Sequence, residues 1–104
     1  MTPKTQTAVK ISEVPPGKMK VVEAGGVRVA VCNVDGTFYA IEDVCTHDDG
    51  PLGEGGLVGA EVECPRHGAR FDVRSGKATQ MPAVVPVRTF PARVSGDQVV
   101  IEVN

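Results

Sequence analysis

Two short segments hold the residues best suited to chemistry: Cys45-Thr46-His47 and, after a gap of sixteen residues, Cys64-Pro65-Arg66-His67. Each pairs one soft thiolate with one imidazole, so two such loops brought tip to tip present two sulfurs and two nitrogens to a metal centre. The chain has only two histidines, and both fall two or three residues after a cysteine. Three readings are open at this point. A two-iron cluster with mixed thiolate and imidazole ligands accepts this set. Zinc also takes two Cys and two His, but its usual arrangement keeps the cysteines in one loop and the histidines in another, with longer spacers than Cys-X-His. The third reading is coincidence, with two loop histidines unrelated to two buried cysteines.

The segments that must position these residues read as strands and tight turns. Ala8 to Ile11 is a short strand stopped by Pro15-Pro16-Gly17, and Lys18 to Glu23 is a second. Gly25-Gly26 then signals a hairpin into Val27 to Val34, where Val27, Val29 and Val31 share one face opposite Arg28 and Ala30. Asp35-Gly36 is a stronger hairpin signal, leading into Thr37 to Glu42. The character changes at Asp43. From Val44 to Gly59 the chain is rich in Gly, Asp and Glu, which argues against a core strand, and Glu61 to Cys64 is brief and strand-like. Gly68 and Gly76 mark turns around the aromatic anchor Phe71, and the prolines of Met81 to Pro86 hold the backbone extended. Val87 to Val94 and Gln98 to Val103 close the chain as two strands joined at Ser95-Gly96-Asp97.

The expectation is one all-β domain over 1–104, a small antiparallel β-sandwich or barrel. Its basal part covers about 1–42 and 77–104, with an inserted subdomain at about 43–76 carrying both motifs. A chain of 104 residues can bury a core without staples. A net charge of -2 gives no basic footprint for nucleic acid. No apolar run approaches membrane-spanning length and the amino terminus is polar, so a cytoplasmic protein without a membrane partner is expected. Three cysteines in such a chain favour metal or redox chemistry over a disulfide framework.

The pair Cys45-Thr46-His47 and Cys64-Pro65-Arg66-His67-Gly68 resembles the signature of the Rieske iron–sulfur family. The agreement extends to Asp49-Gly50-Pro51-Leu52, to Phe71-Asp72 and Gly76, and to Pro82–Pro86, which is similar to the family's proline loop over the cluster. The resemblance implies a Rieske-type fold and one [2Fe–2S] cluster, with Cys45 and Cys64 on the inner iron and His47 and His67 on the outer one. Two ferric ions, two sulfides, two thiolates and two neutral imidazoles carry no net charge, so such a centre accepts an electron more readily than an all-thiolate cluster.

Within the family, quinol-oxidising members carry a membrane anchor, an extra disulfide between the cluster loops, and Ser and Tyr hydroxyls beside the cluster. The matching positions here are Gly50 and Arg66 for the bridge and Ala69 and Phe71 for the hydroxyls. No bridge can form, and neither hydroxyl donor is present, so a potential near the low end of the range, about -150 mV, is expected. Terminal oxygenases need a separate iron held by two further histidines, and none remain. The chain is therefore similar to the ferredoxin component of bacterial aromatic-ring-hydroxylating dioxygenase systems. That likeness implies a one-electron carrier, not catalytic alone and expected as a monomer, between an NAD(P)H-dependent flavin reductase and a terminal oxygenase. Its rivals are a small subunit of a larger oxidoreductase, such as an assimilatory nitrite reductase, and a zinc module that only binds partners.

Other residues carry simpler expectations. Cys32, in strand sequence, reads as a small buried thiol rather than a ligand. Asp48, Asp49 and Glu54, with Arg66, Arg70 and Arg74, read as a solvated mixed-charge surface, with partner steering by Arg66 as the sharper alternative. Leu52 and Pro82–Pro86 are expected to shield the cluster, and Pro65, Gly68 and Pro82 to shape the loops. Of Phe38 and Tyr39, one is expected in the core.

Overall fold

A computed structural model describes residues 5–46 and 50–103. Eleven strands among these residues form three antiparallel sheets. The first sheet joins both ends of the chain: β1 (Thr5–Lys10) pairs along its whole length with β11 (Gln98–Val103), which also takes β10 (Ala92–Ser95). The second contains β2 (Met19–Ala24), β3 (Val27–Val34), β4 (Thr37–Glu42) and β9 (Thr89–Phe90), in that order. The third is a meander of short strands: β5 (Gly56–Val58), β6 (Glu61–Glu63), β7 (Arg70–Asp72) and β8 (Ala78–Gln80). The only helical segments among the described residues are single turns at Ile11–Glu13 and Leu52–Glu54. The all-β architecture follows from the pattern of short β-branched runs broken by turn residues.

The two hairpins of the second sheet form where the turn residues demand. Asp35 (φ 51°) and Gly36 (φ 89°) both adopt the left-handed region, the requirement of the two-residue turn whose twist suits antiparallel strands. Asn33 reinforces the turn: its side-chain oxygen accepts from the Gly36 amide at 2.7 Å, while its amide nitrogen donates to the Val14 carbonyl at 2.7 Å. A buried polar side chain is thereby satisfied at both ends.

This second sheet is the middle layer. Val29, Val31, Ala40 and Phe90 face one core with Val9, Val99, Ile101 and Val103 of the first sheet. Ala30, Cys32 and Ile41 face a second core, which holds Cys45, Leu52, Val62, Cys64, Ala69, Phe71 and Val73. The valine alternation of β3 is real but marks one of two buried faces, so Ala30 and Cys32 are as fully covered as Val29 and Val31. Phe38 is buried and Tyr39 half-buried.

Three local expectations are corrected. The segment Val87–Val94 is not one strand: Pro91, which cannot donate a ladder hydrogen bond, separates β9 from β10, and the two lie in different sheets. A strand forms at Ala78–Gln80, where none was expected, so the third sheet runs past residue 76. The first strand begins at Thr5 and ends at Lys10, with Ile11 starting a helical turn.

Candidate metal centre

Two loops leave the sheets and carry the motifs. The first follows β4. Asp43 keeps the strand geometry for one more residue, its amide donating to the Arg28 carbonyl at 2.9 Å, and the chain then turns away. Cys45 is buried, and its amide donates to the Gly50 carbonyl at 2.7 Å. His47, Asp48 and Asp49 lie outside the described residues. Leu52 is fully buried in the same core as Cys45.

The second loop joins β6 to β7 and is built in the same way. The Cys64 amide donates to the Ala69 carbonyl at 2.7 Å, and the Gly68 amide returns to the Cys64 carbonyl at 3.1 Å. Gly68 takes φ 75°, a conformation that admits glycine without strain. The tip therefore projects Pro65, Arg66 and His67, all exposed, while Cys64 at its root is buried. One loop thus offers an inner sulfur and an outer imidazole.

The segment 80–86 touches both loops. The Thr46 hydroxyl donates to the Val85 carbonyl at 2.6 Å, and the Gln80 side chain donates to the Gly68 carbonyl at 3.2 Å. Ala83 enters the core beside the cysteines, whereas Met81, Val84 and Val85 remain exposed.

The donor chemistry fits an iron–sulfur cluster. Cys45 and Cys64 belong to one apolar core cluster. Thiolates are the soft ligands that iron–sulfur clusters take, and a bound metal keeps a coordinating thiol deprotonated. The two positions that could donate side-chain hydroxyl bonds to the sulfurs are Ala69 and Phe71, both fully buried and without a donor.

The third cysteine stands apart in chemistry. Cys32 lies fully buried in β3, and burial pushes its thiol pKa up to about 12, so it stays protonated at neutral pH. Its sulfur lies 3.7 Å from the Ala30 carbonyl, within reach of a weak S–H bond. The arginines also separate. Arg70 sits opposite Glu63 in the β6–β7 register and pairs with it at 3.0 Å, and Arg74 makes a two-pronged contact with Asp72 at 2.8 and 3.0 Å. Both belong to pairs within the sheet and its turn. Asp43 was not singled out by the motif, yet its side chain is completely buried against this loop.

Two buried sulfurs in loops that leave a small β framework, with an exposed imidazole three residues after one of them, are the arrangement of a two-loop iron–sulfur protein. A profile of the Rieske [2Fe–2S] domain matches residues 4–91, and the chain belongs to that family. It is 46% identical over 89 residues to the ferredoxin component of biphenyl 2,3-dioxygenase from Rhodococcus jostii, covering 86% of this chain and 83% of the relative. It is 36% identical, over the full length of both chains, to the ferredoxin component of the naphthalene 1,2-dioxygenase system from Pseudomonas aeruginosa. Among solved structures, a chain from a complex of reduced oxygenase and oxidised ferredoxin in carbazole 1,9a-dioxygenase superposes with a TM-score of 0.84 at 37% identity, covering 90% of this chain and 91% of the other. Likeness to nitrite reductase small subunits stands at 21% identity and shows the fold alone. The protein is a Rieske ferredoxin: an electron carrier with one [2Fe–2S] cluster, not catalytic alone. No helix among the described residues is long and apolar enough to cross a membrane.

Proposed function

We propose that this chain carries single electrons from a flavin-dependent ferredoxin reductase to the terminal oxygenase of an aromatic-ring dioxygenase system. Cys45 and Cys64 hold the inner iron, and His47 and His67 hold the outer one. The cluster supplies a site that gains and loses one electron; the chain supplies its insulation and its exit. The observation that carries this reading is the second loop, in which Cys64 is buried while His67, three residues on, is exposed. The electron then passes where the imidazole meets solvent. Exposed Met81, Val84 and Val85 on the adjoining segment offer apolar surface suited to a partner protein. The chain reads as one domain with its cluster-binding part at about 43–76 and its basal part at about 1–42 and 77–104.

The test is reconstitution. Purified reductase and oxygenase of an aromatic-ring system should show little turnover with NADH until this protein is added, and His67→Ala protein should not restore it. Full turnover without the ferredoxin, or with the His67→Ala variant, would refute the assignment.

A further inference from the structure

Asp43 does something that neither motif explains. Its carboxylate is completely buried, and Oδ1 accepts a hydrogen bond from the Gly53 amide at 2.6 Å. Oδ2 has no aligned hydrogen-bond donor; it faces an Arg28 guanidinium nitrogen at 3.1 Å, and that arginine side chain is 62% exposed. Burying a carboxylate is expensive and is tolerated when its oxygens are matched. Here one oxygen is spent on a backbone amide ten residues away. The bond ties together the two ends of the segment that carries Cys45.

Both ends of this bond are fixed. Asp43 is anchored to β3 twice, through its amide to the Arg28 carbonyl and through its carboxylate to the Arg28 side chain. Gly53 sits so close to the second sheet that a Cβ there would stand 2.3 Å from Val21 Cγ2 and 3.1 Å from Asp43 Oδ1. Only a residue without a side chain brings its amide this near.

We propose that Asp43 is the positioning residue of the first ligand loop, holding Cys45 in place through the Gly53 amide. The inference rests on the ligand assignment proposed above. Asparagine at this position keeps an oxygen acceptor for Gly53, whereas alanine removes it, so the two variants separate the hydrogen bond from the charge.

The experiment compares wild type, Asp43→Asn and Asp43→Ala as iron-loaded proteins. It follows loss of visible absorbance in the presence of a chelator, and the paramagnetic resonance spectrum of the reduced state. Asp43→Ala should lose its cluster about tenfold to a hundredfold faster, with a broadened or shifted spectrum. Asp43→Asn should stay close to wild type in both. An alanine variant with wild-type rate and spectrum overturns the proposal, as does an asparagine variant as impaired as alanine. Should Asp43→Ala not fold, Gly53→Ala tests the same seat: it should speed cluster loss, and Val21→Ala added to it should restore retention. A Gly53→Ala protein with wild-type retention overturns the proposal. Wild-type protein that binds no iron would instead overturn the ligand assignment, and this inference with it.

Discussion

Thr46 and Val85 are thirty-nine residues apart in the chain and are joined by a hydrogen bond of 2.6 Å from the threonine hydroxyl to the valine carbonyl. Thr46 stands between the proposed ligands Cys45 and His47, so the bond pins the segment 81–86 to the first loop. Thr46→Val removes the donor at nearly constant volume. It should cost about 1 kcal/mol and speed bleaching of the cluster in air. Visible absorbance followed over time checks this, and an unchanged bleaching rate would assign the segment's position to its other contacts.

The absence of hydroxyls at Ala69 and Phe71 is expected to keep the potential low. Ala69 is fully buried next to the Cys64 hairpin, its carbonyl accepting the Cys64 amide. Ala69→Ser places a donor where the reduced, more negative cluster can use it. One net hydrogen bond favouring the reduced form corresponds to a rise of about 20–60 mV for a one-electron couple. A spectroelectrochemical titration that showed no rise would mean the hydroxyl does not reach a sulfur.

Cys64 and Cys32 should separate cleanly by substitution. Cys64→Ser should abolish assembly of a normal cluster, seen as loss of iron and of visible absorbance. Cys32→Ser should leave the cluster and its potential unchanged while lowering stability by about 1–2 kcal/mol, because a hydroxyl is buried in an apolar core. Loss of iron from the Cys32 variant would contradict the reading of a protonated, structural thiol.

The turn after β7 carries a pH signature. The Arg74 guanidinium beside Asp72 holds that carboxyl below the usual carboxylate range. A depressed folded-state value stabilises the protein above the unfolded carboxylate's pKa of about 3.9, and that contribution is lost as pH falls through the lower folded value. Arg74→Gln should therefore lower Tm at pH 7, less so in high salt, and the difference from wild type should vanish in strong acid. Thermal melts across pH check the sign; a gap that widened toward low pH would refute it.

Much of the site was legible because its signals are local. The bounds of β3 and β4 match the sequence reading, since Gly25-Gly26 and Asp35-Gly36 fix both ends of β3 and the start of β4. The Cys-X-His and Cys-X-X-His spacings gave the proposed donor set, of which Cys45, Cys64 and His67 lie among the described residues. What escaped depends on contacts between distant segments. β8 has the weak strand sequence Ala78-Thr79-Gln80 and exists because β7 offers it an edge, across a register shift at Arg70/Phe71. Val87–Val94 reads as continuous until Pro91 sends its halves to different sheets. Asp43 marked only a change in the character of the chain. Its only signal is a partner ten residues on, a glycine whose missing side chain matters through Val21 in another strand.

The central claim is a mixed Cys/His two-iron cluster, and its most direct test is an electron paramagnetic resonance spectrum of the dithionite-reduced protein, read beside its iron and sulfide content. The account predicts two irons and two sulfides per chain and an anisotropic signal averaging below the free-electron value. A silent sample containing zinc would contradict it.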